Sequence, residues 1–159
     1  MEDAEAIFST YAQDPEATKY LLWRPYKSVE TVYHFILQCL AAWKERTSFQ
    51  WVVVLKDDKE LIGMVGSRVD GHKVELGYVL ARAYWNRGYG TEAVQALVDW
   101  AFSQEEIYRV WAVCDVENRA SARVLEKVGM VREGVLRRWS VHPNRAKEPR
   151  DCYCYARSK

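Results

Sequence analysis

Lys73-Val74-Glu75-Leu76-Gly77-Tyr78-Val79-Leu80, running through residues 81–87 into Gly88-Tyr89-Gly90-Thr91-Glu92-Ala93, is the stretch on which the fold turns. Its first half follows the turn dipeptide Asp70-Gly71 and reads as a strand. After Gly90 the period changes. Ala93, Leu97, Trp100 and Ala101 lie at i, i+4, i+7 and i+8, the stripe of a helix packed on a sheet. A strand thus feeds, through a glycine turn, into an amphipathic helix. The first amides of a helix lack intrahelical partners and carry the positive end of the macrodipole. Glycines let that backbone approach a ligand closely, and the product is a diphosphate site. Such a turn is as often only a tight connection. The spacing is neither G-x-x-x-x-G-K-[ST] nor G-x-G-x-x-G, which removes support from nucleoside triphosphatase and dinucleotide-binding readings. Arg87 can add a phosphate contact, although a loop arginine is usually just solvated.

Working outward, residues 3–12 and 15–20 read as short helices joined at Gln13-Asp14, and Ser28 can cap a longer helix with Val32, Ile36, Cys39 and Trp43 on one face. Residues 49–55 form a β-branched and aromatic strand, 56–59 a charged turn and 61–69 the hairpin partner. Beyond the central helix, 109–114 is a strand, and 117–128 a helix stopped by Gly129. Residues 130–141 and 152–156 are closing antiparallel strands joined by His142-Pro143-Asn144-Arg145. The order predicts one α/β (α+β) domain over residues 1–159, with a mixed central sheet rather than a doubly wound one. No repeat or linker interrupts it.

Composition narrows the functions. The 23 lysines and arginines nearly balance the 22 aspartates and glutamates, for a net charge of +1. Non-specific nucleic-acid binders carry a basic surplus, so no nucleic-acid partner is expected. The density of Arg132, Arg137, Arg138, Arg145, Lys147 and Arg150 reads more simply as a solvated face. The acidic start lacks a secretory pattern and no apolar run can span a bilayer, which points to the cytoplasm and away from membranes. Cys39, Cys114, Cys152 and Cys154 have no zinc spacing and behave as small apolar residues; His34, His72 and His142 lack metal partners, so no metal is expected.

A second segment, Asn118-Arg119-Ala120-Ser121, sets Asn118 and Ser121 at i, i+3 in the first turn of a helix, where they can reach one ligand together. The simpler reading of Asn118 is an N-cap. Taken with the glycine turn, the chain resembles the GNAT acyltransferase superfamily, in its RimJ/RimL-type branch. The resemblance rests on E-L-G-Y-V-L at 75–80, Y-W-N-R-G-Y-G-T-E-A at 84–93 and N-R-A-S-A-R-V-L-E-K-V-G-M at 118–130, in that order. It covers nearly the whole chain. It implies a mostly antiparallel sheet flanked by helices and splayed between the strands at 73–80 and 109–114, with acetyl-CoA as cosubstrate in the gap. Val79, Leu80 and Ala81 would pair with the pantetheine amides. The amides of Arg87, Gly88, Tyr89, Gly90, Thr91 and Glu92 would hold the pyrophosphate, and Asn118 and Ser121 would contact the pantetheine arm and thioester.

The implied reaction is attack of a neutral primary amine on the thioester in a ternary complex. A strand amide near Val79 or Leu80 would stabilise the oxyanion. Glu75, on the strand face of Gly77 and Val79, is the candidate base, with a surface or structural glutamate as the rival reading. The chain departs from the wider superfamily in three places. Trp85 opens the pyrophosphate turn. Leu125 replaces the tyrosine that often protonates the leaving thiolate, which leaves Ser121 or solvent as donor and a non-catalytic acyl-CoA-binding module as a competing class. The initial strand expected before Glu2-Asp3-Ala4 is absent, so either the start is truncated or the sheet lacks an edge strand, and an uncovered edge would invite pairing with another chain, such as a homodimer. Trp23, Arg24 and Trp139 are candidates to line the acceptor mouth. The acceptor is a protein N-terminus by branch resemblance, or a small-molecule amine such as a polyamine or an antibiotic.

Overall fold

The computed structural model describes residues 2–159. Helix α1 (Ala4–Ile7) continues directly into a wide turn of helix at Phe8–Ala12, and a loop leads to α2 (Val29–Lys44). Strands β1 (Ser48–Val54), β2 (Leu61–Asp70) and β3 (Lys73–Leu80) form a meander, followed by α3 (Tyr89–Ser103), β4 (Arg109–Asp115), α4 (Arg119–Lys127), β5 (Val131–Ser140) and β6 (Arg150–Ser158). The strands make one sheet in the order β1-β2-β3-β4-β6-β5. Only β3 and β4 run parallel, because α3 crosses between them; every other neighbouring pair is antiparallel. This is the expected mixed, mostly antiparallel sheet with helices on both faces.

Residues 15–20, expected as a helix, form turns instead. The Asp14 carboxylate accepts the Glu16 amide at 2.8 Å, and the Thr18 hydroxyl donates to the Asp14 carbonyl at 2.8 Å. Asp14 thus caps a segment that makes one turn, the Thr18 amide donating to the Asp14 carbonyl at 3.0 Å, before the chain bends at residues 21–23. Strand β6 runs longer than the expected 152–156, because Arg150 and Asp151 find ionic partners across the sheet.

Alternation along each strand feeds two cores. Val74 and Leu76 of β3, with Val110, Ala112 and Cys114 of β4, pack under Val94, Leu97, Val98 and Ala101 of α3 and Leu125 of α4. Val79 faces the other way, against Ile7, Tyr11, Ala12 and Val32. The α3 stripe is thus centred on Val94, Leu97, Val98 and Ala101, with Ala93 and Trp100 at its flanks. Trp100 joins Trp51 at 4.9 Å between ring centroids, and Trp51 meets Trp43 of α2 at 5.4 Å, so one aromatic cluster clasps the β1 edge from both sides. Helix α4 ends in a Schellman motif: Gly129 has φ +78°, its amide donates to Glu126, and the Met130 amide donates to Leu125.

Asp115 closes β4 with its side chain fully buried. Arg150 of β6 binds it in a fork, Nη2 lying 3.2 Å from Oδ1, and the Glu117 amide donates to it at 2.9 Å. Burial alone would raise the Asp115 pKa, but these donors outweigh it and hold the carboxyl below its ordinary value. Arg150→Met would strand that carboxylate without its guanidinium, a loss of about 3–5 kcal/mol expected in urea unfolding at neutral pH. Because the folded pKa is depressed, the Asp115 contribution is present above the unfolded value of about 3.9 and lost as pH falls through the folded one. The stability gap between variant and parent should therefore narrow below about pH 4.

Candidate active site

The gap between β3 and β4 organises the site. The two strands pair only at Lys73↔Arg109, Val74↔Val110 and Glu75↔Trp111. Beyond that point β3 stays with β2 as far as Leu80, while β4 stays with β6 as far as Asp115, so the sheet opens into a V. The antiparallel alternation says which backbone groups face it. Ala81 donates its amide to the Ile62 carbonyl at 2.8 Å, so Val79 and Gly77 also point toward β2. Tyr78 and Leu80 point into the gap. Of the three residues expected to pair with pantetheine, only Leu80 presents its amide there; those of Val79 and Ala81 belong to the β2 ladder. The Leu80 carbonyl accepts the Trp85 indole N–H at 2.8 Å, which gives Trp85 a local role in shaping the turn.

The glycine turn lies past the wide end of the V. Asn86 and Gly88 both have positive φ, +60° and +88°, and Gly88 starts α3. The first intrahelical bond runs from the Glu92 amide to the Gly88 carbonyl at 3.0 Å. The amides of Gly88, Tyr89, Gly90 and Thr91 therefore carry the helix's unpartnered donors, while that of Glu92 is already used. Alternating left-handed positions turn successive amides toward one point, the geometry of an anion nest. Nothing lies within 4 Å of a side chain built on Gly88. These donors and the open strand edge suit a pyrophosphate followed by an amide-bearing arm. Arg87 is exposed, with its guanidinium 5.6 Å from the Tyr84 ring centroid.

Gly90 has a different reason to be glycine. A Cβ there would sit 3.2 Å from Leu80 Cδ1 and 3.8 Å from Val124 Cγ2, where β3, α3 and α4 converge.

Asn118 caps α4, its Oδ1 accepting the Ser121 amide at 3.2 Å. The two are brought together, as the spacing required, but through a bond to each other. The Ser121 hydroxyl reaches the Tyr78 hydroxyl at 2.7 Å across the V. Beside it lies the buried Cys114 thiol, whose pKa burial pushes up to about 12, so it keeps its proton and is no nucleophile. Leu125 is fully buried in the core rather than turned to the gap.

Glu75 lies on the opposite face, in the last paired register before the strands part, and is ion-paired with Arg68. With Arg68, Val69, Asp70 and Trp111 it lines a pocket of about 280 Å³. Trp23 packs on Tyr26 with ring centroids 4.7 Å apart, Arg24 is exposed, and Trp139 stands half out of β5. Asn144 links their surroundings by donating to the carbonyls of Trp23 and Thr18, each at 2.8 Å. Tyr78, Arg68 and Asn144 were not singled out from the sequence. The signal for Tyr78 is a hydroxyl between Leu76 and Leu80 on a helix-covered face, where a buried O–H needs a partner. Among the described residues no group of three or more His, Cys, Asp or Glu could hold a metal, and no helix is long and apolar enough to cross a membrane.

A parallel pair splayed beyond three registers, opening onto an α3 N-terminus built from glycines, is the architecture of an acyltransferase that takes a pantetheine-linked donor. A family model for an acetyltransferase (GNAT) domain matches residues 1–131. The N-acetyltransferase YoaA of Bacillus subtilis is 34% identical over 141 residues, covering 87% of this chain and 79% of its own. A GNAT acetyltransferase from Bacillus anthracis superposes with a TM-score of 0.84 at 31% identity, over 99% of this chain and 89% of the other. The ribosomal-protein-S5-alanine acetyltransferase of Vibrio fischeri gives 0.85 at 25% identity, over 99% and 88%. The chain belongs to the GNAT acetyltransferase family, and is an N-acetyltransferase dependent on acetyl-CoA.

Gly90→Val should lower both the melting temperature and CoA affinity, because the added branch meets Leu80 and Val124 before it meets a ligand. A thermal melt run beside a CoA titration measures the two effects; an unchanged melt with lost affinity would make Gly90 a ligand contact only.

Proposed function

We propose that the chain acetylates the α-amine of a protein N-terminus by direct attack on acetyl-CoA in a ternary complex. The observation that carries the choice of acceptor is electrostatic. Each of the carboxylates on β3 to β6 has an arginine partner: Glu75 with Arg68, Asp115 with Arg150, Glu133 with Arg109 and Asp151 with Arg137. A polyamine or aminoglycoside is drawn to a cleft with uncompensated negative charge, and these strands offer none. An acceptor with one amine on a polar, extended chain suits them better. The activity named in the Vibrio fischeri relative, directed at a ribosomal protein alanine, points the same way.

In this reading the amides of Gly88 to Thr91 hold the pyrophosphate, and Arg87 adds a charge beside them. The open edge at Tyr78 pairs with the pantetheine arm, and Asn118 and Ser121 flank its thioester end. The Leu80 amide, free of the ladder, donates to the developing oxyanion. Holding both reactants in one cleft supplies effective molarities of about 10⁵–10⁸ M, so little further chemistry is asked of the protein. An α-amine has a pKa of about 7.7–8.0 and is roughly a fifth neutral near pH 7.3, against about 0.1% for lysine. A weak base is enough, and Glu75, at the base of the V, takes the proton directly or through water while Arg68 keeps it oriented. Trp23, Arg24 and Trp139 form the rim over which the acceptor chain enters.

The test is an acceptor screen read by mass spectrometry, comparing N-terminal peptides, a lysine ε-amine peptide with a blocked N-terminus, and spermidine. Peptide α-amines should be acetylated at least about tenfold faster than either alternative at pH 7.3, with kcat/KM rising through the acceptor's own pKa. Faster turnover of spermidine would favour a small-molecule amine acceptor instead. Glu75→Gln should lower turnover more than CoA affinity; a parental pH–rate profile in that variant would remove Glu75 from proton transfer.

A further inference from the structure

The Tyr78 ring packs against the core, but neither that packing nor cofactor binding explains its hydroxyl. It follows Val74 and Leu76 on the α3/α4 face of β3, yet it is a tyrosine where that face is otherwise apolar. Its ring lies three residues beyond the last paired register of the V, and its hydroxyl crosses to the first turn of α4. There it meets two atoms of one residue, Ser121 Oγ at 2.7 Å and the Ser121 carbonyl oxygen at 3.2 Å. The carbonyl can only accept, whereas either hydroxyl can donate to the other.

Two hydrogen arrangements satisfy this geometry. In one, Tyr78 donates to the Ser121 carbonyl and the Ser121 hydroxyl donates back to Tyr78, so no hydrogen faces the gap. In the other, Tyr78 donates to Ser121 Oγ, and the serine hydrogen is freed for the gap or for the neighbouring Cys114 sulfur, which a bound thioester sulfur would outcompete. Burial holds the Tyr78 pKa above its ordinary value, so the phenol keeps its proton and stays a donor. Cys114, the other polar side chain beside Ser121, also keeps its proton.

We propose that Tyr78 is a positioning residue which, by donating to Ser121 Oγ, turns the serine O–H toward the thioester sulfur as the thiolate departs. The proposal rests on the assignment of Ser121 to the thioester end of the gap. In the step itself the amine nitrogen has bonded to the carbonyl carbon, the C–S bond breaks and its electron pair goes to sulfur. Ser121 donates a hydrogen bond to that sulfur, strengthened because its own oxygen accepts from Tyr78. Neither hydroxyl loses its proton. The thiolate leaves as an anion and takes its proton from water, and the proton lost by the amine goes to the base on the other face. Leu125 is therefore not a missing acid: the hydroxyl serving the sulfur is that of Ser121 in the first turn of α4, oriented from β3 by Tyr78, and not one at the position that Leu125 fills.

The experiment is a double-mutant cycle in the full chain with acetyl-CoA and an N-terminal peptide. Tyr78→Phe keeps the ring and removes only the hydroxyl. It should lower kcat about tenfold while the KM for acetyl-CoA, the CoA dissociation constant and the melting temperature stay near parental values. Ser121→Ala should lose at least as much, and the double variant no more than Ser121→Ala alone, because Tyr78 acts only through Ser121. Parental kcat in Tyr78→Phe overturns the proposal, as do losses that multiply in the double variant. A Tyr78→Phe defect confined to KM or to melting also overturns it, by making Tyr78 a packing residue. These results are separable from failure of the functional reading, in which the parent itself would acetylate no peptide while still binding CoA.

Discussion

The structure depends on a pairing that stops early. Strands β3 and β4 share three registers, Lys73↔Arg109 to Glu75↔Trp111, and then separate while each remains paired to its other neighbour. A parallel pair separated this way leaves backbone donors and acceptors without partners, a costly state unless something else holds the strands apart. The core supplies part of the answer. Val74, Leu76, Val110 and Ala112 pack under α3 and clamp the narrow end, while α4, capped by Asn118 and joined to Tyr78, wedges the wide one. The gap is a built feature of the sheet, and it sets unpaired edge groups beside the unpaired amides of Gly88 to Thr91.

Charge is handled in the same economical way. The buried Asp115 would be expensive alone, yet it serves as the corner at which β4, β6 and the start of α4 meet, through Arg150 and the Glu117 amide. Glu117 extends the network to Arg145 as well as Arg150. Pairing each carboxylate of β3 to β6 with an arginine leaves those strands polar and without uncompensated negative charge. Such a surface offers no attraction for a polycation, which is the ground on which a polyamine acceptor is disfavoured in the proposed function.

Much of this was legible in the residues, and the exceptions have identifiable physical causes. The alternation of 73–80 and the helical stripe after Gly90 gave both elements, and the two-residue loop Gly71-His72 implies the register that sets Arg68 opposite Glu75. Residues 15–20 carry helical composition and an Asp14 cap, yet they close into turns rather than a continuous helix. The splay itself leaves no periodic trace; it was expected from resemblance to a family, because separation of strands is a tertiary event. Within the site, spacing brought Asn118 and Ser121 together but could not tell that Asn118 would spend its oxygen on the Ser121 amide. Direction of backbone groups was equally hidden. Residues 79–81 were the right neighbourhood, yet which amides face the gap follows from a ladder bond between Ala81 and Ile62. Gly88 and Gly90, adjacent in one motif, proved to be glycines for different reasons: a left-handed backbone and a close approach of three elements.

Asn144 divides the molecule's freedom to change. Its amide group spans the carbonyls of Thr18 and Trp23, and His142 beside it lies 2.8 Å from the Tyr20 carbonyl, so the loop between β5 and β6 is latched to the segment preceding α2. The latch uses backbone carbonyls, which every residue type provides. Exposed side chains of this segment, Leu22 and Arg24, can therefore be exchanged without unfastening it, and none of those carbonyls belongs to the glycine turn or the strand edge. In the proposed reading, the rim can thus change one residue at a time while the glycine turn and the strand edge stay as they are.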